Sequence, residues 1–310
     1  MKKIITFILL VSFASSCSKE PDITDNMLDG NIIYDPSLYA PEEYLVSYAN
    51  PNPTTLEAKT PVVIAIHGYS ASTFEWDEFR SWAKGRDDFF ISQVLMGGHG
   101  RNYEAFKEAS WKDWKAPLME EYQRLLTAGY TDISLLGSST GAILILKLLE
   151  EGFFNGKIAP QHIFLVDPNV ISSNKTLSMI NVLGPMMVYL EVDNNAEEDK
   201  YWYHYRPFET LQELRNITDL VRKSLQKGIT MPAGTSLKVY KSEKDAVADP
   251  VSAVLIHKGL KTFTGNPPEV EMIPSELHVY TRLGLRTDVS STDFQNQQKT
   301  FEDIAGKLIK

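Results

Sequence analysis

The chain has 310 residues, 43% of them hydrophobic and 23% charged, a globular balance long enough for one large α/β domain or two small ones. Its formal net charge of −9 argues against nucleic acid as a general partner. No run approaches the roughly 20 apolar residues of a membrane-spanning helix.

The first 16 residues read as an export signal. Lys2 and Lys3 form a positive start, residues 4–13 a short apolar run, and Ala14-Ser15-Ser16 the small residues that precede a cleavage site. Cys17 follows and is the only cysteine in the sequence. Ala14-Ser15-Ser16-Cys17 resembles the signal of bacterial lipoproteins, with Ala where Leu is commoner. The resemblance implies cleavage before Cys17, lipidation of its sulfur and amine, and a membrane anchor in the cell envelope. Ser18, where Asp would mark the inner membrane, implies the outer one. The alternative is an ordinary secretory signal with an incidental cysteine. An exported cysteine without a disulfide partner favours lipidation. Residues 17–31, polar and acidic with Pro21 and Gly30, read as a flexible tether.

Residues 32–310 are the expected folded domain. Residues 32–50 hold short apolar pieces suited to early strands, ended by Pro51-Asn52-Pro53. Residues 61–66 are continuously apolar and β-branched, the pattern of a strand buried on both faces of a parallel sheet. They run into His67-Gly68-Tyr69. A helix is predicted over 74–83, a strand over 89–96 ending in Gly97-Gly98-His99-Gly100, and an amphipathic helix over 111–128. A strand over 131–136 leads to a helix over 142–150, and a buried strand over 163–166 ends at Asp167-Pro168. Residues 169–232 break the alternation and read as a mostly helical cap insertion. It includes a Met-rich apolar run at 177–192, an aromatic cluster at 201–205 and a helix at 211–225. The apolar run either lines a pocket or packs the insertion onto the sheet. The strand pattern returns at 237–240. Asp249-Pro250 then starts a helix over 251–258, with Asp249 as N-cap. A strand at 270–273 precedes His278, and a closing helix lies within 294–310. This alternation predicts a doubly wound, mostly parallel α/β sheet, with the loops after its strands on one edge.

Between the strand at 131–136 and its helix lies Gly137-Ser138-Ser139-Thr140-Gly141. A tight strand–Gly-x-Ser-x-Gly–helix turn exposes a serine hydroxyl above the sheet and aims a helix N-terminus at any developing oxyanion. Ser139 is therefore the candidate nucleophile. His278 is the candidate base, and the candidate acids are Asp245, Asp167 and Asp249. The amides of Thr140 and Tyr69 are the candidate oxyanion donors. The order Ser139, Asp245, His278 resembles that of the α/β-hydrolase superfamily, in particular its monoacylglycerol lipase-like and carboxylesterase-like members. His67-Gly68-Tyr69, Gly98-His99-Gly100, the elbow, and Glu243-Lys244-Asp245 followed by Asp249-Pro250 carry the resemblance over residues 61–310. It implies an α/β-hydrolase fold and a triad in which Asp245 orients His278. Thr140 and Ala142 depart from the commoner residues at their positions, which bears on acyl-pocket shape.

Of the other histidines, His67 and His99 read as structural; His162, His204 and His257 have no matching context. No spacing suggests a metal site, and no glycine-rich phosphate loop is present, so no cofactor is expected. The resemblance implies hydrolysis of small carboxylic esters; the Met-rich, aromatic insertion suits short to medium acyl chains or monoacylglycerol-type esters, and the net charge argues against a nucleic-acid partner. The alternatives are a serine peptidase of the same fold and a lipid-anchored binding protein without turnover. For the anchor, Cys17→Ser should move the mature protein from membranes to soluble fractions in detergent-free extracts. Each buried acyl methylene contributes about 0.8 kcal/mol, so several chains hold firmly. An unchanged partition would exclude Cys17.

Overall fold

The computed structural model describes residues 45–47, 49–101, 103–173 and 188–310. The expected signal, the tether and Cys17 lie outside the described residues. So do residues 177–187 of the Met-rich run, including Met179, Met186 and Met187.

Among the described residues, seven strands form the central sheet. They are β1 (Leu45–Ser47), β2 (Val62–Ile66), β3 (Phe90–Val94), β4 (Ile133–Ser138), β5 (His162–Val166), β6 (Ser236–Ser242) and β7 (Glu269–Ile273). Their order is β1-β3-β2-β4-β5-β6-β7. β1 runs antiparallel to β3, and the other neighbours are parallel. The helices are α1 (Asp77–Trp82), α2 (Tyr103–Glu108), α3 (Trp111–Ala128), α4 (Ser139–Glu150), α5 (Phe208–Lys227), α6 (Val251–Gly259) and α7 (Ser291–Leu308). This is the doubly wound sheet that the alternating pattern predicts.

Strand side chains alternate between the sheet faces, so each buried strand feeds two cores. Val62, Ile64 and Ile66 join Ile133, Leu135, Ile163, Leu165 and Val239 in one core, roofed by Trp114, Leu118 and Leu125 of α3 and by Ile217 and Val221 of α5. Val63 and Ala65 face the other way, with Leu136, Phe164, Val166 and Tyr240 against Phe79 of α1 and Phe301 of α7. α4 is buried on nearly every side, as its apolar sequence requires. At the start of α3, Ser110 and Asp113 cap one another, the Ser110 amide donating to Asp113 Oδ2 at 2.8 Å.

Chain order reverses at β2, with β3 on one side and β4 on the other. The loops that leave β2 and β4 therefore diverge, and open sheets hold ligands in the crevice between such loops. α4 can follow β4 so closely because of two glycines. A Cβ on Gly141 would lie 2.5 Å from the carbonyl oxygens of both Ile66 and His67. One on Gly137 would lie 2.7 Å from Ile145 Cδ1 and 2.8 Å from the Ala142 nitrogen. Neither glycine has a positive φ, so space and not conformation selects them.

The segment between β5 and β6 differs in part from the expected helical insertion. Among its described residues, Tyr189–Glu191 pairs antiparallel with Tyr205–Pro207, so part of the aromatic cluster is strand. Aromatic side chains suit a half-buried pleated surface as well as a helix. α5 begins at Phe208, three residues before the predicted start, directly after Pro207. Early in the chain, β1 supplies one short strand within residues 32–50.

Gly141→Ala should keep the fold but lower stability by about 1–3 kcal/mol, since two backbone carbonyls must give way. A thermal melt checks this; an unchanged midpoint would show that α4 can move off β2 freely.

Candidate active site

Ser139 sits where β4 turns into α4, at φ 46°. A non-glycine residue in the left-handed region is strained, and that strain lifts the side chain out of the turn. Its Oγ lies 2.9 Å from His278 Nε2. His278 follows β7, and its Nδ1 lies 2.7 Å from Asp245 Oδ2 in the loop after β6. An ionised carboxylate only accepts, so Nδ1 carries the proton and Nε2 is free to accept from the serine hydroxyl.

Asp245 is held from several sides. Its Oδ1 accepts from the amides of Val247 at 2.8 Å and Ala248 at 3.0 Å. Its Oδ2 accepts from Lys241 Nζ at 2.6 Å as well as from His278. Burial alone would raise its pKa. His278 and Lys241 outweigh that and hold it at about 2. The same Lys241 ammonium donates to Asp167 Oδ1 at 2.9 Å, and all three side chains are closed to solvent. Asp167, at φ 45°, also accepts from the Ser242 amide at 2.8 Å and the Ser242 hydroxyl at 3.1 Å. Asp249 accepts from the Val251 amide at 2.8 Å, as a helix start requires. Of the three candidate acids, Asp245 is the one bonded to His278. Oxygens of Asp167 and Asp245 and a nitrogen of His278 lie within 4.8 Å of one another, but the ammonium of Lys241 already bridges the two carboxylates.

The loop after β2 carries the other half of the site. The Gly68 amide donates to Glu75 Oε1 at 2.8 Å, and the Ser138 hydroxyl donates to the same oxygen. His67 accepts from the Met96 amide through Nε2 at 3.0 Å while its Nδ1 lies 2.7 Å from Gly68 O. His99 Nε2 accepts from the Ser70 amide at 3.1 Å. Burial pushes His67 down to about 4 and His99 well below the ordinary histidine range, so both rings are neutral braces. From the insertion, the Tyr203 amide donates to Ser70 O at 2.9 Å. Tyr69 belongs to this braced loop, and Thr140 opens α4 directly after Ser139. Both residues line the cavity beside Ser139.

That cavity is about 360 Å³. Tyr189, Leu190, Trp202, Phe208, Leu211, Leu214 and Val247 give it apolar walls; Arg206, Arg282 and Arg286 also line it. The sequence reading missed Lys241, Glu75 and the three arginines. A lysine in a strand reads as solvated, and the arginines share no motif. Of the Met-rich run, Tyr189 and Leu190 line the cavity.

No protein-family model matches the chain. It is 23% identical over 181 residues to a carboxylesterase of Bacillus subtilis, which covers 56% of this chain and 70% of that one. Among solved structures, it resembles one reported for LipS and LipT, two metagenome-derived lipolytic enzymes. The TM-score is 0.65 at 16% identity, covering 86% of this chain and 98% of the other. It resembles equally a soluble variant of monoglyceride lipase from Saccharomyces cerevisiae, with TM-score 0.65 at 13% identity, covering 85% and 90%. At such identities the likeness establishes the fold, which these structures share.

The pKa of Asp245 has a consequence for acid stability. Its folded value of about 2 is below the ordinary 3.8, so its contribution is complete above about pH 4 and lost as pH falls through about 2. Asp245→Asn should flatten the stability–pH slope in that window by up to one proton. Acid titration at fixed urea measures it; an unchanged slope would show that Asp245 is not held ionised.

Proposed function

We propose that this chain, which has the α/β-hydrolase fold, is a serine hydrolase that cleaves carboxylic esters through an acyl-enzyme. The observation that carries this reading is the unbroken hydrogen-bond path from Ser139 Oγ through His278 to Asp245, at 2.9 and 2.7 Å. It starts at a strained elbow, beside Tyr69 and Thr140 at the cavity wall. Its likeness to a carboxylesterase and to lipolytic enzymes supports ester over other acyl substrates.

In this reading Ser139 Oγ attacks the ester carbonyl carbon as its proton passes to His278 Nε2. The Tyr69 and Thr140 amides hold the oxyanion, the helix N-terminus adding its partial positive charge. Asp245 stabilises the imidazolium without taking its proton. The intermediate collapses, and Nε2–H protonates the departing alcohol oxygen. Water then enters, gives its proton to Nε2 and attacks the acyl carbon, and Ser139 leaves with that proton. The apolar walls suit a short to medium acyl chain. The further proposal that the mature chain is anchored by lipid at Cys17, in the outer membrane of a bacterial envelope, is supported by the signal-like pattern of residues 2–17 and by Ser18.

A fluorophosphonate probe should label the protein and fail to label Ser139→Ala. That variant should lose roughly six orders of magnitude in kcat on p-nitrophenyl esters, as in other triad knockouts. Esters of graded acyl length would set the chain-length profile. Full activity in Ser139→Ala would sink the assignment.

A further inference from the structure

The cavity beside Ser139 is apolar, yet three guanidiniums line it in a protein whose net charge is −9. Two of them are engaged. Arg282 lies over the Trp202 ring at 4.4 Å and donates to Gly284 O at 2.9 Å and to Glu198 Oε1 at 3.5 Å. Arg286 donates to the backbone carbonyl of His278. Arg206 differs. It projects from the strand Tyr205–Pro207, where residue 206 pairs with Leu190. It is half-buried, and its Nε is closed to solvent without a partner, as are those of Arg282 and Arg286; but where those two guanidiniums donate through their terminal nitrogens, the Arg206 side chain donates to no described residue. The Tyr69 ring, 5.8 Å away, is its recorded aromatic neighbour.

Two carboxylates line the same cavity, and neither serves Arg206. Glu75 is committed to the Gly68 amide and the Ser138 hydroxyl, and Glu198 faces Arg282. Burial lowers the pKa of Arg206, and burial with repulsion from Arg282 brings Arg286 to about 10. Three cations line the pocket with two carboxylates, Glu75 and Glu198, so positive charge is in excess there and neither carboxylate meets Arg206. A desolvated cation without a counter-charge is costly in the empty pocket. The planar guanidinium fork is shaped to take both oxygens of a carboxylate.

We propose that the cavity is built for an ester whose remote end carries a carboxylate, and that Arg206 is the anchor that binds it. The inference deepens the serine hydrolase reading above and rests on it. The anionic group would supply the partner that Arg206 lacks, while the aromatic and aliphatic walls hold the carbon skeleton. Neutral esters of the same size would leave Arg206 desolvated and unpaired.

Two isosteric pairs test this and separate the two ends of the ester. Mono-p-nitrophenyl succinate against p-nitrophenyl succinamate places the charge on the acyl part. The butyrate ester of para-hydroxybenzoate against that of para-hydroxybenzamide places it on the alcohol. The wild-type protein should favour the charged member of at least one pair by about 10–100-fold in kcat/KM, the range of charge-assisted hydrogen bonds. Arg206→Gln should collapse that ratio, and Arg206→Lys should keep part of it, because the charge stays and the fork is lost. A variant that merely misfolds lowers both members together. No preference in either pair, or a ratio that survives Arg206→Gln, would overturn the proposal. If no ester is turned over, the hydrolase reading fails, and binding still decides the anion site. Phenylbutyrate should then raise the melting temperature of Ser139→Ala more than phenylbutyramide does, and the added Arg206→Gln change should erase the difference. Equal shifts by the two ligands would refute an anion site.

Discussion

The ammonium of Lys241 is the point on which the site depends. It lies between the carboxylates of Asp167 and Asp245, at 2.9 and 2.6 Å, and none of the three side chains reaches solvent. Without it, two buried carboxylates would face each other and one would take up a proton. Removing one partner from such a network typically costs about 3–5 kcal/mol, since a buried charge is left alone. The network also joins strand ends. Asp167 closes β5, Lys241 belongs to β6, and Asp245 leads on to His278 after β7. The Tyr280 amide, two residues beyond His278, also points to Asp167 at 3.4 Å. One cation therefore sets the relative height of three loops on the carboxyl edge of the sheet.

The loop after β2 is secured differently, by neutral groups. Burial holds the pKa of His67 and His99 below the ordinary histidine range, so near neutral pH each accepts an amide proton without carrying charge toward the cavity. Glu75 holds the Gly68 amide and the Ser138 hydroxyl together, tying this loop to the residue before Ser139. Tyr203 then joins the insertion to the same loop, through its amide on Ser70 O and its ring stacked on Phe106 at 3.9 Å. The pocket wall and the loop after β2 are thus parts of one bonded assembly.

What could be read from the sequence follows from how local each signal is. The buried strands announce themselves as β-branched runs such as Val62–Ile66, and the strained turn at Ser139 is framed by glycines that leave no room for a side chain. α3 was legible to its ends, because Ser110 and Asp113 start it and Gly129, at φ 101°, stops it. The aromatic cluster at 201–205 was not, since Tyr and Trp serve strand and helix alike. Lys241 was hidden because a lysine's burial depends on partners from elsewhere in the chain. For the same reason Asp167 could be read only as a candidate acid at a strand end, although its carboxylate is held by Lys241 inside an ion network. The arginines escaped notice because only the folded chain brings residue 206 near residues 282 and 286.

β7 is the last strand on its side of the sheet, and it holds the loop that bears His278. It is fastened to its neighbours partly by ion pairs. Lys238 of β6 meets Glu269 at 2.9 Å, Glu271 at 2.8 Å and Asp303 of α7 at 2.9 Å. Edge elements open first in native proteins, at a free energy below that of global unfolding. Ser139, by contrast, is set between a fully buried strand and a helix buried along most of its length. The two halves of the hydrogen-bond path therefore belong to regions of unequal permanence. Salt or mild denaturant that loosens the rim can part the imidazole from the hydroxyl while the spectroscopic signature of the core stays intact. Function in this chain is a gauge of its border, and the melting curve is a gauge of its middle.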